Sequence, residues 1–172
     1  HENDDIFFQH REACNKYYNA LPAVVEKYMG KVNEKLGTNY QLFNYYGAPD
    51  ADRIIIAMGS VNDVIEEVID YMNAHGEKVG LVKVRLFRPW SSEHLLAAIP
   101  DTTKAIAVLD RTKEPGSQGE PLYQDVVMAL AKAGKNIPVI GGRYGLGSKD
   151  TTPASFFAVY EELAKDEPKE EF

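Results

Sequence analysis

From Arg53 onward the chain alternates between two hydrophobic rhythms. Ile54-Ile-Ile-Ala57 and Ile106-Ala-Val-Leu109 are short, unbroken apolar runs, the pattern of parallel strands covered on both faces. Between such runs lie longer stretches with helical spacing. The pattern predicts strand Arg53 to Ala57, helix Val61 to Ala74, strand Val79 to Leu86, short helix Ser92 to Ala98 and strand Ala105 to Leu109. Helix Pro121 to Lys132, strand Pro138 to Ile140 and helix Pro153 to Ala164 follow. This βαβαβαβα order predicts an α/β fold, a three-layer α/β/α sandwich around a mostly parallel sheet. Ser60 with Asp63 three residues on reads as a capping box, and Thr152-Pro153 places a capping hydroxyl before a proline at N1. Gly76 and Gly134 fall where helix-ending glycines belong.

Ahead of this core, Asp5 to Leu36 carries an incomplete helical stripe of Phe7, Tyr17, Leu21, Val24, Val25, Tyr28 and Val32. Pro22 lacks an amide donor, so it is expected to begin a new helix at N1 or to kink one helix, with Gly37 ending the second piece. The first, aromatic-rich piece reads as a docking arm. Tyr40 to Tyr46 alternates enough to be a strand. The expected organisation is an arm over residues 1–37, an α/β domain over 38–165 and an acidic tail over 166–172.

The loops divide by edge. Helix-to-strand connections such as His75-Gly-Glu-Lys78 are short and ordinary, whereas every strand-to-helix connection carries Gly, Pro, Arg or Trp. The most elaborate runs from Asp110 through Arg-Thr-Lys-Glu-Pro-Gly-Ser-Gln-Gly-Glu120; the others are Met58-Gly-Ser-Val-Asn-Asp63, Phe87-Arg-Pro-Trp90 and Gly141-Gly-Arg-Tyr-Gly-Leu-Gly-Ser-Lys-Asp150. Parallel strands put all four on one edge of the sheet, where ligands of open α/β sheets bind.

Composition narrows the function classes. Nineteen Lys+Arg against twenty-six Asp+Glu give a net charge of −7, which disfavours non-specific attraction to nucleic acid or an anionic membrane. No apolar run approaches the roughly 20 residues of a membrane helix. Cys14 is the only cysteine, so the chain forms neither an internal disulfide nor a cysteine-ligated iron–sulfur cluster by itself, and a reducing, cytoplasmic setting is expected. A start without Met and an abrupt acidic end suggest a piece of something longer.

Arg85, Arg88, Arg111 and Arg143, with Lys113 and Lys149, gather at the strand ends. A guanidinium there can clamp a phosphate or carboxylate. Equally, these cations can pair with Asp110, Glu114, Glu120 and Asp150 in their own loops. Trp90 beside Phe87 and Arg88 is either local core or an interface anchor. Gly142-Arg-Tyr-Gly-Leu-Gly147 is no dinucleotide fingerprint, and no phosphate-binding loop occurs, so these glycines are expected to allow positive φ or close approach. The four histidines are scattered, and Ser60, Ser91 and Ser117 lie in no nucleophile elbow. Asp63, Glu66, Glu67 and the run Asp166 to Glu171 read as solvated charge. No catalytic, cofactor-binding or metal-ligating residue emerges.

Five ordered motifs carry a resemblance over nearly the whole chain: Tyr45-Tyr-Gly-Ala-Pro-Asp50, Ile54-Ile-Ile-Ala-Met-Gly-Ser60, Val82-Lys-Val-Arg-Leu-Phe-Arg-Pro89, Ala107-Val-Leu-Asp-Arg-Thr-Lys-Glu-Pro-Gly116 and Gly141 to Asp150. They resemble the second domain of pyruvate:ferredoxin (flavodoxin) oxidoreductases. The arm's Asp5-Ile-Phe-Phe-Gln9 and Arg11-Glu-Ala-Cys-Asn15 are similar to the connection out of that family's first domain. The resemblance implies a fold like the C-terminal domain of transketolase, with five strands of which the first, about Tyr40 to Tyr45, is antiparallel. It implies a parent enzyme, expected as a homodimer, that oxidatively decarboxylates pyruvate with coenzyme A and passes electrons to ferredoxin or flavodoxin. Thiamine diphosphate, magnesium and iron–sulfur clusters would belong to other domains. This chain would be a non-catalytic structural domain, with an arginine-rich edge that meets another domain or, alternatively, a coenzyme A phosphate; the equivalent domain of another 2-oxoacid oxidoreductase is a sister reading.

Overall fold

A computed structural model describes residues 1–169 and Glu171. Two helices, α1 (Asp4–Ala13) and α2 (Asn15–Leu36), precede β1 (Phe43–Gly47), β2 (Arg53–Ala57), α3 (Val61–Ala74) and β3 (Val79–Val84). The chain continues through α4 (Ser92–Ala98), β4 (Ala105–Asp110), α5 (Pro121–Lys132), β5 (Val139–Arg143) and, after one short turn of 3₁₀ helix, α6 (Pro153–Leu163). The strands form one sheet in the order β1-β3-β2-β4-β5. β1 pairs antiparallel with β3, and every other pairing is parallel.

Consecutive residues of the apolar runs point to opposite faces, which is why the runs need no polar members. Ile55, Leu81, Ala107 and Ile140 pack under α3 and α6 through Ile65, Ile69, Phe156 and Tyr160. Ile54, Ile56, Val82, Ile106 and Val108 face Leu95 of α4 and Leu122 and Val126 of α5. Val25 and Met29 of α2 lean on this second core from outside. The sheet is therefore sandwiched between two helical layers.

Several local expectations change. Pro22 lies inside α2 rather than at its start, and the helices divide at Cys14 instead. A proline removes one helical hydrogen bond, but α2 carries no buried residue that would amplify the defect. Ser60 and Thr152 stand at their helix starts without a side-chain capping bond. β3 ends two residues early, at Val84, because Arg85 and Leu86 donate their amides to Leu42 rather than continue the ladder. β5 runs on to Arg143. Gly37, Gly76 and Gly134 end their helices at positive φ as expected.

Candidate functional site

The four strand-to-helix loops share the carboxyl edge of the sheet, and two buried carboxylates organise it. Asp110 ends β4 and is 3% exposed. Its Oδ1 accepts the Leu122 amide at 3.1 Å and its Oδ2 the Tyr123 amide at 3.2 Å, satisfying two free donors of the first turn of α5. Burial holds its carboxyl above the ordinary range, with the two amide donors acting against that rise.

Glu120 occupies the N-cap position of α5, yet its side chain does not cap the helix. It turns back into its own loop and is 4% exposed. Oε2 accepts the Glu114 amide at 2.7 Å, while Oε1 takes Arg143 Nη1 at 3.2 Å and lies 3.8 Å from Lys113 Nζ. Arg143 also donates to Glu171 at 3.0 Å, and Glu171 forms a parallel bridge to Gly141. The Arg143 contact holds the Glu171 carboxyl below its ordinary range. The tail thus returns to the edge of β5, where solvated charge was expected; Glu170 and Phe172 lie outside the described residues.

The remaining expected residues divide. Arg88 Nη1 lies 2.7 Å from Asp125 on α5, a partner outside the strand-end loops, and its guanidinium sits 3.9 Å from the Phe87 ring centre. Trp90 is half-buried, edge-on to Phe43 at 5.4 Å and Phe87 at 6.4 Å, so it belongs to the local core. Its indole N–H is buried with no partner among the described residues. Arg111 Nε donates to the Gly145 carbonyl at 3.1 Å, tying the β4 and β5 loops. Lys149 lines a shallow 320 Å³ pocket with Tyr144, Ser155 and Phe156, and has no ion pair among the described residues. Arg85 stacks on Tyr40 away from this group. Gly145 and Gly147 take positive φ, and Gly141 lets the Tyr123 ring approach its backbone. Glu66, expected as solvated charge, is paired with Lys83.

β2 and β4 are neighbours whose helices leave to opposite faces, so a crevice opens between their carboxyl ends. It measures about 360 Å³ and is lined by Gly59, Ser60, Phe87, Arg111, Thr112 and Tyr144 among others. The Tyr144 hydroxyl donates across it to the Met58 carbonyl at 3.3 Å.

The donors do not supply the iron–sulfur clusters that the resemblance implies for a larger enzyme. One cysteine supplies a single thiolate where a cluster needs several, and no group of three or more His, Cys, Asp or Glu residues that could hold a metal occurs among the described residues. The described residues thus offer no cysteine ligand set for an iron–sulfur cluster. No helix among the described residues is long and apolar enough to cross a membrane.

Comparison with known proteins places this geometry in a family. The family model described as pyruvate:ferredoxin oxidoreductase core domain II matches residues 51–156. The pyruvate:ferredoxin oxidoreductase of Moorella thermoacetica is 57% identical over 171 residues, covering 99% of this chain and 15% of that protein. A pyruvate-flavodoxin oxidoreductase of a Nostoc species is 53% identical, with the same coverage. Thus the chain spans about 15% of the length of these relatives. In fold it is similar to a 2-oxoglutarate:ferredoxin oxidoreductase from Magnetococcus marinus, with a TM-score of 0.53 and 22% identity over 83% of this chain and 23% of that one. A split-gene transketolase gives a TM-score of 0.50 at 18% identity, covering 65% of this chain and 38% of that one. The mixed five-stranded sheet is accordingly of the transketolase C-terminal kind, and the chain belongs to the core domain II family of pyruvate:ferredoxin and pyruvate-flavodoxin oxidoreductases.

Proposed function

We propose that this chain is a non-catalytic structural domain of a pyruvate:ferredoxin (flavodoxin) oxidoreductase, with the strand-end edge bearing Arg88, Trp90, Arg111, Lys113, Arg143 and Lys149 facing another domain. The division into an arm (1–37), an α/β domain (38–165) and a tail (166–172) belongs to the same reading. The parent would oxidatively decarboxylate pyruvate with coenzyme A in the cytoplasm and pass electrons to ferredoxin or flavodoxin. Thiamine diphosphate, magnesium and iron–sulfur clusters would be held by its other domains, and the parent would be a homodimer.

The observation that carries this reading is the use of the two buried carboxylates at the edge. Asp110 holds the start of α5, and Glu120 holds Glu114, Arg143 and Lys113. Groups fixed in this way build a rigid surface. Arg111→Ala in the full-length enzyme tests it. Assembly or turnover should fall severalfold while the unfolding midpoint of the 172-residue chain stays nearly unchanged. Intact turnover in the full-length variant refutes the interface role.

One observation favours a second reading. The crevice at the switch between β2 and β4 carries Arg111, Ser60 and Thr112, a donor set suited to a phosphate such as that of coenzyme A. Isothermal titration of the chain with coenzyme A distinguishes the two: binding abolished by Arg111→Ala supports the phosphate site, and absence of heat supports the interface.

A further inference from the structure

α2 is 22 residues long and buries none of them fully. Val25 and Met29 lean on the sheet, while Leu21, Val24, Tyr28 and Val32 beside them are 38%, 47%, 57% and 40% exposed. Their spacing of three, four and four residues lays them along one stripe. Single exposed apolar residues are ordinary, but a continuous stripe marks a surface built to be covered. The stripe borders a groove of about 460 Å³ lined by Val24, Tyr28, Met29, Val32, Tyr40 and Arg85.

Arg85 is the charged residue in that lining. Its Nε donates to Asn44 Oδ1 at 2.7 Å and its guanidinium carbon sits 4.7 Å from the Tyr40 ring centre. Its other N–H groups have no protein partner among the described residues, although the chain carries a net charge of −7. An exposed planar guanidinium held over an aromatic ring and lining an apolar groove is arranged to receive a carboxylate.

We infer that this groove seats an amphipathic segment of the same polypeptide lying outside these 172 residues, one that presents an apolar face and a carboxylate to Arg85. This rests on the reading of the chain as one domain of a larger enzyme and adds a second contact surface to it. Three observations select the occupant. The chain spans only 15% of its relatives, so most of their polypeptide lies elsewhere. The groove lining holds no Asp or Glu, so the acceptor for Arg85 has to come from the occupant rather than from the groove. The exposed Tyr17, Tyr18, Phe7 and Phe8 continue the aromatic surface along the arm.

Oxidative side-chain footprinting of the full-length enzyme beside the 172-residue chain tests the inference. Tyr28, Met29 and Tyr40 should be labelled severalfold less in the full-length enzyme, and Arg85→Glu should restore much of that labelling. Equal labelling in the two proteins overturns the inference, as does labelling in the isolated chain that falls with its concentration, which would make the occupant a second copy. Tyr144, which lines the strand-end crevice, reports that edge separately. If Tyr144 is protected and Tyr28 is not, only the groove assignment falls; if neither is protected, the interface reading falls with it.

Discussion

Asp110, the last residue of β4, accepts the amide of Leu122 at 3.1 Å across eleven residues of intervening chain, so the start of α5 is held by a neighbouring strand rather than by its own N-cap residue. The arrangement frees Glu120 to fasten the loop from inside. Two carboxylates, each buried and each fully employed, convert a long polar connection into a fixed surface.

This predicts an unusual pH response. Asp110 is held above its ordinary value near 3.9, chiefly by burial. A carboxyl whose folded-state pKa exceeds its unfolded value binds protons more readily when folded. Its stabilising contribution is therefore complete below about pH 3.9 and is lost as pH rises through the folded value. Urea unfolding of the chain and of Asp110→Asn across this range should show the stability difference in favour of Asp110 widening as pH falls from 7. A gap that narrows toward acid contradicts the assignment.

Glu120→Ala should destabilise the chain by about 1–3 kcal/mol, the usual cost of stranding a charged hydrogen-bond network. It leaves the Glu114 amide, Lys113 and Arg143 without their shared acceptor. Glu114→Ala keeps the backbone donor and should cost much less. Chemical denaturation of the pair checks this, and equal losses would place the stabilisation elsewhere in the loop.

The fold was legible because its signals are local and agree with one another. Unbroken apolar runs identified the doubly covered strands, and glycines at Gly37, Gly76 and Gly134 marked helix ends that a left-handed residue must close. The antiparallel direction of β1 came from family resemblance alone, since alternation carries no direction. The site was less legible. Sequence could place Glu120 near Arg143 and Lys113 but could not show that Asp110 faces amides rather than arginines. Arg88 paired outside its loop because α5 brings Asp125 beside it, a contact no spacing rule contains.

Pro22 gives a third prediction. An interior proline costs a helix about 3 kcal/mol relative to alanine, through its missing donor and its clash with the preceding turn. Because α2 meets the core mainly through Val25 and Met29, Pro22→Ala should act locally. Amide exchange over Asn19 to Glu26 should slow by an order of magnitude or more, with little change in β2. A matching slowing in Ile54 to Ile56 would show that α2 and the sheet unfold as one unit.

β1 and β3 approach closely where Gly80 pairs with Gly47 and lies beneath the Tyr45 ring. A Cβ at Gly80 would strike the Tyr45 hydroxyl and the adjoining ring atoms. That hydroxyl donates to the Ala48 carbonyl, and burial pushes its pKa up to about 12. On the other face of the sheet, the fully buried Tyr160 hydroxyl donates to the Gly80 carbonyl at 2.9 Å. Gly80 is thus held from both sides and cannot shift to relieve the clash. Gly80→Ala should cost about 1–3 kcal/mol, as overpacking in a close-packed core does, despite alanine's lower chain entropy in the unfolded state. Tyr160→Phe should cost about 1 kcal/mol by leaving that carbonyl with one acceptor site empty. Adding Tyr45→Ala to Gly80→Ala opens the space the new methyl needs, so the double variant should be more stable than the sum of its single losses implies. A denaturation cycle over these variants measures the coupling, and strict additivity would show that the sheet absorbs the methyl by moving its backbone instead.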